Sequence, residues 1–175
     1  MRYSFLLAAS AGLLLAACGG SPSASQSATV ANGTATTPAA ADGWVDADLS
    51  TTETKLPVVV KAPKGYTVAK SPLGDVELTT DNLTFDVDDV TALGPNQLKD
   101  KKEDVMKNSG MAFEKLVLDQ PDGFIAQLGG GNYIPVRLVK VGGKTYQFST
   151  IPLNAMQSEE AARQVYDMAG LAKAK

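Results

Sequence analysis

The sequence predicts an α+β domain: a single, mostly antiparallel sheet of about seven or eight short strands with two helices, the terminal one packed on the sheet. Three observations predict it. Short runs of β-branched and aromatic residues recur between Gly, Pro, Asn and Asp turn residues. Residues 133–141 and 144–149 are joined by Gly142-Gly143, a two-residue connection whose glycines accept positive φ. Helical spacing is confined to Gln97–Asn108 and to the segment that follows Ser158.

The chain divides into a leader over residues 1–17, a linker over residues 18–42 and a globular domain over residues 43–175. In the leader, Arg2 precedes an apolar run over residues 5–14, and Ala16-Ala17 are small residues placed for cleavage. The run falls short of the roughly 20 residues that span a bilayer. The linker is Ser, Ala, Thr and Gly with two prolines, and it carries no charge before Asp42. Such a segment buries too little apolar area to offset its ordering entropy, and a flexible chain of its length spans roughly 25–30 Å.

Within the domain, Trp44 is expected to plug one end of the core from a short helical turn. Residues 56–62 read as a strand that Pro57 places at an edge or a strand start. Pro63-Lys64-Gly65 turns the chain into a short strand over residues 66–70, and residues 71–74 turn it again into Val76–Thr79. Over residues 83–90, Leu83, Phe85 and Val87 face one way while Thr84, Asp86 and Asp88 face the other. Gln97–Asn108 is a surface helix with Leu98, Val105 and Met106 as its apolar stripe, ended by Asn108-Ser109-Gly110. Strands follow over residues 111–118 and 124–128. Then comes the Gly142-Gly143 hairpin, in a register that sets Arg137 against Phe148 and Val139 against Tyr146. Its other face carries Ile134, Val136 and Leu138, so the sheet is expected to be at least partly covered on both sides. Ser158 caps the last helix, with Glu159 and Glu160 in its first turn and Ala162, Val165, Tyr166, Ala169 and Ala172 on its buried face.

Two resemblances add to this reading. Leu15-Ala16-Ala17-Cys18 resembles the lipobox of bacterial lipoproteins at all four positions. The resemblance implies a lipidation site: diacylglycerol on the Cys18 sulfur, cleavage before Cys18, and anchoring through acyl chains. Two or more chains on one residue hold a protein far more firmly than one. Gly19 stands where aspartate marks inner-membrane retention, which implies the outer membrane, facing the periplasm. The domain resembles the PsbP-like fold in its element order and turn residues. These are Ala62-Pro63-Lys64-Gly65, the strands at 76–78 and 83–87, a helix, Asp122-Gly123-Phe124, the Gly142-Gly143 hairpin and the helix opening at Ser158. That resemblance implies a binding or assembly scaffold, without assigning functional residues.

Composition narrows the chemistry. The chain has no histidine, which excludes Ser-His and Cys-His pairs and most zinc sites. Cys18 is its only cysteine, so the domain has neither a disulfide nor a thiol nucleophile. A net charge of −3 provides no basic field for nucleic acid. Gly142-Gly143-Lys144-Thr145 lacks the earlier glycine and the following helix of a phosphate loop, and Gly129-Gly130-Gly131 reads as a hairpin connection. Asp81, Asp86, Asp88 and Asp89 form the densest acidic cluster. It lacks the glycine and ligand spacing of a calcium loop and reads as a solvated face. No serine stands three residues before a lysine, and no carboxylate pair stands apart from the surface charge. The expectation is a non-enzymatic, envelope-anchored binding or assembly accessory. It has no catalytic, cofactor or metal residues, and its partners are membrane lipid, through Cys18, and an envelope protein. The alternatives are a small-ligand or lipid-binding module with a cleft under the terminal helix, or a histidine-free hydrolase.

Overall fold

A computed structural model describes residues 43–51, 53–71 and 74–175. The leader, Cys18, the linker and Pro72-Leu73 of the expected turn lie outside the described residues.

The chain order is β1 (Trp44–Asp48), β2 (Val58–Pro63), β3 (Thr67–Lys70), β4 (Val76–Thr79), β5 (Thr84–Asp89), α1 (Gln97–Asn108), β6 (Phe113–Gln120), β7 (Gly123–Leu128), β8 (Asn132–Val141), β9 (Lys144–Ser149), α2 (Glu159–Gly170) and β10 (Lys173–Ala174). Single turns of 3-10 helix, Thr91–Leu93 and Pro152–Asn154, precede α1 and α2. Seven strands form one antiparallel sheet in the order β3-β4-β5-β9-β8-β7-β6. The α+β class and the terminal helix on the sheet are as the sequence predicts.

The single expected sheet is corrected to two. β1, β2 and β10 form a separate three-stranded sheet with β2 in the middle. The reason is packing. β2 buries Val58, Val60 and Ala62 in the same core as Phe85, Val87 and Phe148 of the large sheet, so it stacks face-on rather than joining the ladder. Each such valine or phenylalanine contributes roughly 1.5–3 kcal/mol by leaving water. Trp44 begins β1 rather than a helical turn, pairing with Pro63 and packing half-buried on that core. The last helix ends at Gly170. Lys173–Ala174 then pairs along β2, and lysine side chains reach β1, with Lys173 2.9 Å from Asp46 and Lys175 2.7 Å from Asp48.

The large sheet is covered on both faces, by different means. α2 and the small sheet cover one face, over Phe85, Ile125, Tyr146 and Phe148. α1 covers part of the other, where Val105 meets Phe124, Ala126, Leu128, Ile134 and Val136. Met106, expected in the stripe of α1, is exposed, and Gln97 is buried in its place.

A clamp at the β6–β7 turn fixes α2. The Arg137 guanidinium donates from Nε to Asp122 Oδ2 at 2.9 Å and from Nη1 to the Tyr166 carbonyl at 3.0 Å. The Tyr166 hydroxyl donates to Asp122 Oδ1 at 2.9 Å. The main chain comes close enough for this only because Gly123 and Gly170 lack side chains. A Cβ on Gly123 would lie 2.3 Å from the Val136 carbonyl oxygen, and one on Gly170 would lie 2.3 Å from Arg137 Nη1.

Candidate functional site

The alternation of β5 settles which of its residues enter the core. Leu83, Phe85 and Val87 are buried against α2 and the small sheet, and Thr84, Asp86 and Asp88 point to the face that carries α1. Strand register extends that polar row. Asp86 lies between Glu77 on β4 and Ser149 on β9, and Asp88 pairs with Gln147. Past β9 the same row turns apolar, because Ser149 pairs with Val136 and Val136 with Phe124. α1 lies over this apolar part, and its first turn stops at the boundary. There Gln97 donates to Gln147 at 3.2 Å, and Gln147 donates to Ser149 at 3.2 Å. Strands β3 to β5 therefore keep a polar face beside the helix.

The expected acidic cluster divides. Asp81 sits in the turn at the far end of β5, in a separate hollow beside Ser158. Asp89 is turned to Lys144 at 2.6 Å, which with Thr91 holds its pKa down to about 2. The reading of a solvated face is corrected for the other two. Asp86 is only 6% exposed and Asp88 is half-buried, on a strand flanked by β4 and β9. Burial raises the pKa of Asp86 to about 6, helped by the charges of Glu77 and Asp75 and opposed by Lys101 of α1. Burial raises that of Asp88 to about 8, helped by a side-chain hydrogen bond to Asp75 and by the charges of Asp75 and Asp86. Asp75, placed beside Asp88 by the register of the β4–β5 hairpin, thus disfavours ionisation of Asp88. Asp88 Oδ1 is buried without a hydrogen-bond partner.

No protein-family model, curated protein or solved structure matches the chain. The functional reading therefore rests on the chemistry of this face. Two surface hollows adjoin it. One, of about 490 Å³, is bordered by Asp75 and Asp88, and the other, of about 350 Å³, by Gln97, Asp100, Lys101, Asp104 and Gln147. They share Leu93, which is 68% exposed. Among the described residues no group of three or more acidic or cysteine side chains is placed to hold a metal ion. The arrangement suits hydrogen-bond donors that carry positive charge, or proton exchange at Asp88.

Asp75, Glu77, Gln97, Lys101 and Gln147 gave no signal as a group in the sequence. Asp75 reaches Asp88 through the β4–β5 hairpin, and Lys101 through the placement of α1. The space under α2, where a ligand cleft was an alternative, is filled by Ala162, Val165, Tyr166, Met168 and Ala169. Among the described residues no helix is long and apolar enough to cross a membrane.

Proposed function

We propose that the protein is a lipid-anchored cell-envelope protein that works by binding, as an accessory to another envelope protein. The observation that carries this reading is Leu15-Ala16-Ala17-Cys18, placed after an apolar leader and before an uncharged Ser/Thr/Ala linker. An acylated Cys18 ties the domain to the outer membrane, and the linker lets it search a radius of roughly 25–30 Å. The absence of histidine from the chain and the PsbP-like order of elements support a holding role over catalysis. Mass spectrometry of the protein purified from its native membrane tests it. The expected result is an N-terminal Cys18 carrying diacylglycerol, with Cys18→Ser leaving the membrane fraction. An unmodified thiol or a retained leader overturns the anchor.

A second reading, a histidine-free hydrolase, is favoured by Asp88, whose raised pKa keeps a carboxylic acid at the border of a hollow that Asp75 also lines. It requires turnover of an ester, glycoside or peptide substrate that Asp88→Asn abolishes. Turnover unchanged in that variant removes it.

A further inference from the structure

We propose that the outer face of the three-stranded sheet is a docking surface for the anionic phospholipid headgroups of the membrane that carries the anchor. This rests on the anchored reading above and names the surface on which the tethered domain comes to rest.

The strand pattern builds the face. Val58, Val60 and Ala62 of β2 are buried in the core, so Val59, Lys61 and Pro63 between them point away from it. Register sets Asp46 of β1 beside Lys61, and Asp48 of β1 and Lys173 of β10 on either side of Val59. Two aspartates there face three lysines: Asp46 lies 2.6 Å from Lys61 and 2.9 Å from Lys173, and Asp48 lies 2.7 Å from Lys175. Lys64 follows Pro63 in the turn, is exposed, and makes none of the ion pairs among the described residues. The face and its rim thus hold four lysines against two aspartates, in a chain whose net charge is −3. α1 also carries four lysines, but Asp100, Glu103 and Asp104 are interleaved with them. The lysines of the small sheet stay accessible, with 35%, 56% and 53% of the Lys61, Lys173 and Lys175 side chains exposed.

The course of the chain supplies the occupant. Gly43 leads directly into β1, an edge strand of this sheet, so the segment that joins the domain to Cys18 enters the fold here. At that end Trp44 pairs with Pro63, and the Tyr66 hydroxyl donates to the Asp46 carbonyl at 3.3 Å. Both aromatic side chains are half-buried, and their amphipathic rings are of the kind that settle at headgroup level. Lysine ammonium groups reach phosphate oxygens while their stems lie along the sheet. So few charges hold a free protein on a membrane only weakly. A tether makes the contact intramolecular, and a weak face then suffices.

The test couples the full mature chain through the thiol of Cys18, its only cysteine, to maleimide-bearing lipid in vesicles, so that tethering does not depend on native acylation. Energy transfer from Trp44, the only tryptophan, to dansyl-labelled lipid reads the approach of the face. Transfer is expected to be at least about twofold higher in phosphatidylcholine vesicles with roughly 30% phosphatidylglycerol than in phosphatidylcholine alone, and to return to the neutral-vesicle value in about 0.5 M salt. K64E/K175E is expected to abolish the difference. K99E/K115E, which changes the net charge equally but on α1 and β6, is expected to retain it. Equal transfer in neutral and anionic vesicles overturns the proposal, as does an equal loss in the two double variants. A difference that vanishes at low density of coupled protein assigns the face to a second copy and overturns lipid as its occupant. Mass spectrometry of Cys18 tests the anchor and this transfer tests the face, so either can fail alone.

Discussion

The Arg137 guanidinium lies over the Tyr166 ring, 4.5 Å from its centre, and donates to the carbonyl of that same residue. One side chain of β8 thus holds α2 by its backbone and by its aromatic face, and Asp122 binds both partners. The Arg137 side chain is 16% exposed, so its ion pair is better shielded than the pairs at the surface.

Arg137→Ala is therefore expected to cost about 2–3 kcal/mol, the range for losing hydrogen bonds to a charged, partly buried group. Arg137→Lys restores the charge but not the planar fork or the stack, and is expected to recover less than half. Urea unfolding monitored at Trp44 checks both. Wild-type stability in Arg137→Ala would mean that apolar burial alone holds α2.

Gly123→Ala and Gly170→Ala are expected to differ. The new methyl at Gly123 meets backbone, the Val136 carbonyl, while at Gly170 it meets the end of the Arg137 side chain. Backbone in a paired strand cannot yield, so Gly123→Ala is expected to cost roughly 2–3 kcal/mol or more. Gly170→Ala should cost less, and little beyond Arg137→Ala when the two are combined. A double-mutant cycle measured by urea unfolding reads the difference.

Stability should fall as pH rises. Asp86 and Asp88 have folded pKa values of about 6 and about 8, above the ordinary 3.8. The folded state therefore binds more protons than the unfolded one, and the stabilisation is complete below 3.8 and lost as pH passes about 6 and then about 8. Thermal melts are expected to show a lower Tm at pH 8.5 than at pH 5. Asp88→Asn should flatten the upper part of that slope and raise Tm at pH 8.5. A Tm that rises over this interval contradicts the assignment.

Ser158 Oγ accepts from the Ala161 N–H at 3.1 Å at the start of α2. Ser158→Ala is expected to cost about 1 kcal/mol and Ser158→Gly only a few tenths. Denaturant midpoints at constant slope would check this ordering.

Much of the fold could be read along the chain, because its signals are local. The Gly142-Gly143 turn takes φ of 58° and 81°, and the pairing of Arg137 with Phe148 follows from it by counting. Gln97–Asn108 is helical over the residues that its spacing marks, and Gly110, at φ 78°, follows its end. Trp44 and Lys173–Ala174 were not legible as strands. A two-residue strand has no pattern of its own, and only the free edge of β2 makes it one.

What the sequence by itself determined is the alternation of β5, the hairpin register, the two helices and the chemistry ruled out by the absence of histidine. These follow from steric preferences between near neighbours and from composition. Only the tertiary structure decided that Asp86 is buried, that Asp75 and Asp88 border one hollow, and that Asp122, Arg137 and Tyr166 meet across separations of 15, 29 and 44 residues. Alternation says which face a side chain takes. What else covers that face depends on where α1 and α2 come to rest, and packing between distant segments settles that.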